Sequence, residues 1–170
     1  LFLAIAFTGG AIVMLARRAI LRRGFSDLFA TPASTLALGF FGLWGSNALF
    51  AVALRSGASP VSATIVAHAW PVWMVLVVLV LGIARGTRWD VIALTLGLAG
   101  VTAVAVRDGA FELHPGLIVS LAGGWLWAIY SGARTRVPPG PPDALTVFVT
   151  AAAVASWLFH FLLGEPFDAA

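Results

Sequence analysis

Long apolar stretches alternate with short polar ones along the whole chain, and the repeat has the scale of a lipid bilayer. A helix crosses the hydrocarbon core with about 20 apolar residues. Six stretches meet or approach that length: 1–16 (span A), 36–54 (B), 61–84 (C), 89–106 (D), 115–133 (E) and 144–163 (F). Within each stretch the apolar residues are continuous rather than alternating. Each is also too long for a barrel strand of about 10 residues. The pattern therefore predicts an all-α membrane protein with six transmembrane helices, span C being interrupted by Pro71.

The connectors hold the turn formers and the charges, and none is long enough to form a domain outside the membrane. Their arginines test the span count, because successive connectors must lie on opposite sides of the bilayer. One side collects Arg17, Arg18, Arg22, Arg23, Arg85, Arg88, Arg134 and Arg136, and the other only Arg55 and Arg107. The poorer side also carries Asp108, Glu112, Glu165 and Asp168. The positive-inside rule makes the Arg-rich side cytoplasmic. Spans A, C and E then run inward, and B, D and F outward. Adding or removing one span would scramble the split.

Composition agrees with this class and removes others. Hydrophobic residues make up 61% of the chain and charged residues 10%, with a mean hydropathy of +1.00. Soluble domains carry about 25% charged residues. The pI near 11.1 would suit a nucleic-acid binder, but the arginines lie between apolar runs and not on one polar face. Cysteine is absent, which excludes disulfides and thiolate metal sites. The chain opens at Leu1 inside an apolar run and stops at Ala170 just after another, so both ends are expected to be truncations. The first run lacks a charged leading segment and reads as the remainder of a span, not a signal peptide.

Small residues at helical spacing mark where backbones can approach closely in lipid. Span E has Ser120, Gly124, Ala128 and Gly132; span D has Ala93, Gly97 and Gly100; span F has Ala151 with Ala155 and Ala152 with Ser156. Tight helix contacts are expected along these stripes.

Candidate chemistry is sparse. No Asp, Glu, Lys or Arg lies deep in a span, which argues against a carboxylate relay within these helices. Pro71 lies mid-span, where it frees a backbone carbonyl and kinks the helix. Such a break is common at transporter binding sites, although proline is tolerated in many membrane helices. His68 lies one turn earlier, Thr64 shares its face, and Asn47 falls at similar depth in span B. The three form a small polar layer, which either fixes packing through a hydrogen bond or lines a substrate path. A lone His offers one metal ligand, so no metal site is expected. Among the aromatics, Trp70 and Trp73 flank Pro71; Trp44 is central in span B; Trp125, Trp127 and Tyr130 lie mid to inner in span E. These rings either fill bundle volume or stack on a ligand, whereas Trp89 and Trp157 suit interfacial anchoring. No catalytic signature is present: there is no His-Glu-x-x-His, Gly-x-Ser-x-Gly or P-loop.

The stretch from Asn47 to Ile65, followed by HisAlaTrpProValTrp from His68, resembles the EamA-type transporters of the drug/metabolite transporter superfamily. Trp before Pro resembles the branch that exports aromatic and other amino acids. GlyLeuAlaGlyVal at Gly97, TrpLeuTrpAlaIleTyrSer at Trp125 and GlyGluPro at Gly164 resemble further elements of the family, in the family's order. The resemblance covers essentially the whole chain. It departs at His68, where many relatives carry an aromatic or another polar residue.

This resemblance implies a ten-helix bundle of two inverted five-helix repeats. Residues 1–108 would be helices two to five of the first repeat, and 109–170 the first two helices of the second, making spans A and F repeat equivalents. The implied function is a secondary transporter, an exporter of small organic metabolites such as amino acids across a bacterial inner membrane by alternating access. Its expected site is Asn47, His68, Trp70, Pro71, Trp127 and Tyr130, with energy coupling by exchange or by a proton route at His68. The expected partners are the lipid bilayer and a small-molecule substrate, with a homodimer allowed; no nucleic acid, cofactor or enzymatic activity is expected. The alternative is a non-transporting membrane scaffold or assembly subunit, in which the polar layer only packs helices.

Overall fold

The computed structural model describes residues 1–107 and 111–164. The expected acidic positions Asp108, Glu165 and Asp168, and Pro166 of the GlyGluPro motif, lie outside the described residues. All regular structure among the described residues is helical. The helices are α1 (Phe2–Ile20), α2 (Ala33–Phe40), α3 (Ser46–Arg55), α4 (Pro60–Ala67), α5 (Trp70–Val80), α6 (Arg88–Arg107), α7 (Gly116–Ala133) and α8 (Ala144–Leu162). A π-helical turn, Phe41–Gly45, joins α2 to α3, and short 3-10 turns cover Ser26–Ala30 and Arg134–Arg136. Six helical segments are long and apolar enough to cross a membrane: Phe2–Ile20, Ala33–Arg55, Pro60–Val80, Arg88–Arg107, Gly116–Arg136 and Ala144–Leu162. Each expected span has its counterpart within a few residues.

The described chain forms two compact units, Leu1–Trp44 with Val137–Ala170, and Gly45–Arg136. In the first unit α1 packs along α8, and α2 also lies on α8. The contact is close because it is lined by small residues: Ala4 and Ala11 on α1 and Ala152, Ala153 and Ser156 on α8 are buried. Gly39 of α2 lies under the Phe148 ring, where any Cβ would collide. In the expected span F stripes, Ala152 with Ser156 is buried, whereas Ala151 and Ala155 are half-buried. Two tryptophans tie this unit together. Trp44 Nε1 donates to Ser156 Oγ at 3.0 Å while its ring stacks on Phe40. Trp157 Nε1 donates to Thr8 Oγ1 at 3.0 Å. Trp157 thus takes part in helix packing, because the nearby Thr8 hydroxyl offers its N–H a partner inside the unit.

Charge closes one end of the first unit. Arg18, in the last turn of α1, is only 2% exposed. Its guanidinium donates to Asp143 at 2.9 Å and to the Gly24 carbonyl, and lies 5.8 Å from the centre of the Phe25 ring. Asp143 precedes α8 and also accepts from Arg23 at 2.9 Å and, more weakly, from Arg17 at 3.5 Å. The Arg23 hydrogen bond, followed by the positive charges of all three arginines, holds the Asp143 carboxyl below the ordinary aspartate range. A carboxyl whose acidity is raised by folding stabilises the fold above its unfolded value and loses that contribution as pH falls. Hydrogen-exchange protection of the 21–30 connector is therefore expected to stay flat from neutral pH downward, then to drop below about pH 4. Protection that persists unchanged well below that pH would show that the cluster does not hold the connector.

In the second unit α7 is central, with α3, α4 and α5 packed on it. Its expected stripe, Ser120, Gly124, Ala128 and Gly132, is buried throughout. Ser120 Oγ donates to the Ala63 carbonyl of α4 at 2.7 Å, and a Cβ on Gly132 would lie 2.9 Å from Val77 of α5. Gly116 and Gly123 make a second close edge against α3. Helix α6 departs from expectation. None of its residues is buried, Ala93 and Gly100 are exposed, and of its two stripe glycines Gly97 alone has a neighbour, Val72, within 4 Å of its Cβ position. In lipid an apolar helix face has no hydrophobic need to be covered, so a small-residue stripe permits a close contact without compelling one.

Candidate functional site

The site is built around the interruption of the third span. Helix α4 starts cleanly: Pro60 occupies its first turn, and the Ser59 hydroxyl accepts from the Ser62 N–H at 3.2 Å. It ends at Ala67, with His68 and Ala69 in a turn, and α5 restarts at Trp70. Pro71 therefore sits in the first turn of a new helix and does not kink a continuous one. The reason is steric and chemical. Proline has no N–H to give the carbonyl four residues back, and its ring crowds that carbonyl, whereas the first turn of a helix accepts proline without loss. The backbone bonds on either side run from His68 N–H to Thr64 O (2.9 Å) and from Val72 N–H to Ala69 O (3.0 Å). The Ala67 carbonyl is the group deprived of its usual donor.

Ala67 belongs to the wall of a cavity of about 360 Å³, within the usual range for small-ligand sites. Helix α3 contributes Ser46, Asn47 and Phe50, the break contributes Ala67, His68 and Trp70, and α7 contributes Gly123, Gly124 and Trp127. Residues at i, i+1 and i+4 share one helix face, so α3 and α7 each present one such triplet. The two glycines are required by close approach of backbone to backbone. A Cβ on Gly123 would lie 2.8 Å from the Ser46 carbonyl, and one on Gly124 would lie 2.9 Å from the Ala67 carbonyl.

The polar side chains on this wall are the Ser46 hydroxyl, the Asn47 amide and the His68 imidazole, with no Asp, Glu, Lys or Arg among the lining residues. The His68 ring is anchored by Nδ1, 2.9 Å from the Thr64 carbonyl. Trp70 and Trp127 meet edge to face at 6.2 Å and 75°. They form an aromatic edge beside the polar groups, suited to a ligand with one flat apolar part and one polar part.

Four of the six expected site residues, Asn47, His68, Trp70 and Trp127, line this one cavity. The other two do not lie on its wall. Tyr130 packs its ring against Trp127 at 5.5 Å and so buttresses it, and Pro71 acts by ending α4. The flanking aromatics serve other contacts. Trp73 stacks on Trp125 at 5.1 Å and 19°, and Trp44 belongs to the first unit. Ser46, Phe50, Ala67, Gly123 and Gly124 complete the wall and are not among the site residues expected from sequence. The signal available for them was the paired glycine of Gly123–Gly124 three residues before Trp127.

The chain is 33% identical over 172 residues to a curated protein of Ancylobacter novellus named aromatic amino acid exporter YddG, an alignment covering 98% of this chain and 58% of that protein. A solved crystal structure matches with a TM-score of 0.81 at 32% identity, again over 98% of this chain and 58% of that one. No family model matches the chain. The chain thus spans less than two thirds of the relatives it matches. The described chain is a multi-pass α-helical membrane protein similar, along nearly its whole length, to an aromatic amino acid exporter.

Proposed function

We propose that the full-length protein is a secondary transporter of the EamA type, within the drug/metabolite transporter superfamily. It exports small organic metabolites such as amino acids across a bacterial inner membrane by alternating access. The observation that carries this reading is the broken third span, which brings Ala67, His68 and Trp70 together on a cavity wall. Discontinuous helices that turn main-chain groups toward a midplane cavity are the way membrane carriers bind polar substrates without charged side chains. Asn47 and His68 orient the polar end of the substrate, the Ala67 carbonyl accepts from its ammonium group, and Trp70 and Trp127 cover its apolar part. The relative's name supports amino acids as the substrate class, and the arginine asymmetry supports a cytoplasmic Arg-rich side. Nothing in this constellation makes or breaks a covalent bond, so the reading is of a carrier and not an enzyme.

The test is export by cells or vesicles carrying the full-length protein. Losing one hydrogen bond of about 1.4 kcal/mol corresponds to roughly tenfold in affinity, so His68→Ala is expected to raise the half-saturating substrate concentration by about that factor. Unchanged transport kinetics would remove His68 from the site. Cysteines introduced at positions 47 and 68 should react with membrane-impermeant aqueous reagents and be protected by substrate. Complete inertness of both would favour a scaffold over a carrier.

A further inference from the structure

The first unit holds a second cavity, remote in sequence from the polar layer and built from different chemistry. It is an apolar groove of about 350 Å³ between Leu15 of α1, the connector residues Phe25 and Phe29, and one face of α8 running from Val147 to Val154. Its one polar lining residue, Thr150, has its hydroxyl already committed to the Thr146 carbonyl at 2.7 Å. The groove therefore offers nothing to a polar ligand along its length. Phe29 is 90% exposed beside it, which in water would be a cost and in a bilayer interface is not.

One end of the groove has the opposite character. Leu15 lies one turn before Arg18, and Asp143 one turn before Val147, so the arginine cluster sits where α1 leaves the groove and α8 enters it. Arg18 is spent inside the fold on Asp143 and Gly24, and it also fixes the groove's rim through the Phe25 ring. Arg17 and Arg23 are different. Their side chains are 62% and 48% exposed, and Asp143 engages a single N–H nitrogen of each. A guanidinium carries five donors, so both retain donors for another acceptor. Charge is also in excess by sequence: residues 17–30 hold four arginines and one aspartate, and Asp143 adds one acid.

We propose that this groove holds an acyl chain of an anionic phospholipid, whose phosphate is bound by Arg17 and Arg23. An apolar slot ending at an arginine pair has the geometry of such a lipid: hydrocarbon tail in the slot, phosphodiester on guanidinium forks suited to phosphate. A zwitterionic phospholipid fits the slot equally but adds a cationic group to a site already in positive excess. The site thus discriminates by headgroup charge and not by tail. This inference is independent of the transport reading, because it concerns neither the polar cavity nor its residues.

The experiment uses the full-length protein reconstituted in nanodiscs containing phosphatidylglycerol and phosphatidylcholine. A bimane label at Phe29→Cys reports contact with acyl chains brominated on one lipid class at a time. Quenching is expected to be stronger with brominated phosphatidylglycerol. Arginines near an anionic lipid surface contribute about 1 kcal/mol each, so the Arg17→Gln/Arg23→Gln pair should cut the selectivity for phosphatidylglycerol by roughly 30-fold. Ala151→Phe, which fills the slot and leaves every arginine in place, should remove quenching by both lipids. Equal quenching by the two lipids in the wild type would overturn the charge-selective site. Absence of quenching by either would show that another part of the protein covers the groove, and would overturn the proposal altogether. Should the arginine variant not fold, the wild-type selectivity and the Ala151→Phe result decide the matter on their own.

Discussion

Gly124→Val is expected to leave the full-length protein in the membrane and to reduce its transport to near background. The Cβ alone would lie 2.9 Å from the Ala67 carbonyl oxygen and 3.6 Å from the Ala67 Cα and carbonyl carbon. These are backbone atoms, which cannot rotate away as a side-chain tip can. They also belong to the interruption of the third span, so relief of the clash must come from moving the cavity wall itself. Overpacking of this kind costs about 1–3 kcal/mol in a close-packed interior, and the branched side chain then takes volume from a space of about 360 Å³. Gly124→Ala should show an intermediate loss. Gly100→Val, in the exposed face of α6 with no neighbour within 4 Å of its Cβ position, should transport normally. Export by Gly124→Val at the wild-type rate, with normal yield of folded protein, would show that the cavity is not on the substrate's path.

Pro71→Ala should separate activity from stability. Alanine restores an N–H at the position from which an ordinary helix would satisfy the Ala67 carbonyl. It also removes the ring that forbids a continuous helix through His68 and Ala69. The substitution loses the stiffness that proline gives the unfolded chain, about 0.4–1 kcal/mol, but gains a backbone hydrogen bond of about the same size. Folded yield and melting should therefore change little. Transport should fall roughly tenfold, the equivalent of one hydrogen bond to substrate, since the carbonyl is withdrawn into the helix. A variant that transports normally while its span has become continuous would show that the break is a packing feature only.

The fold was largely legible in the sequence because continuous apolar runs of bilayer length have few other solutions. The ends of spans were the least secure part. The first apolar run stops at Ala16, yet α1 continues to Ile20, because Arg18 finds Asp143 and Gly24 and can remain helical while buried. That pairing joins residues 125 positions apart, and no local pattern announces it. The mid-span proline announced a disturbance but not its form, since a kink and a restart differ only in how the preceding turn is satisfied. The polar layer was legible as a rarity, Asn47 and His68 standing alone in apolar helices. Its opposite wall was not. Gly123 and Gly124 carry no chemistry of their own, and glycine inside a membrane helix reads first as a packing stripe. Only the placement of α7 against both α3 and the break shows that the same two residues also bound a cavity.

The hydrogen bond from His68 to Thr64 settles a matter of proton bookkeeping within the ring. A carbonyl oxygen can only accept, so Nδ1 must carry a hydrogen, and the neutral imidazole is confined to one of its two tautomers. In that tautomer Nε2 carries the lone pair. Presented to a zwitterion, such a ring welcomes the ammonium, a hydroxyl or an indole N–H and repels a carboxylate. Adding one proton reverses that preference without any rotation, because Nδ1 keeps its bond to Thr64 in either state. The main chain of α4 thus fixes which ring nitrogen can gain or lose the proton, and on the transport reading that proton would decide which end of an amphoteric molecule residue 68 favours.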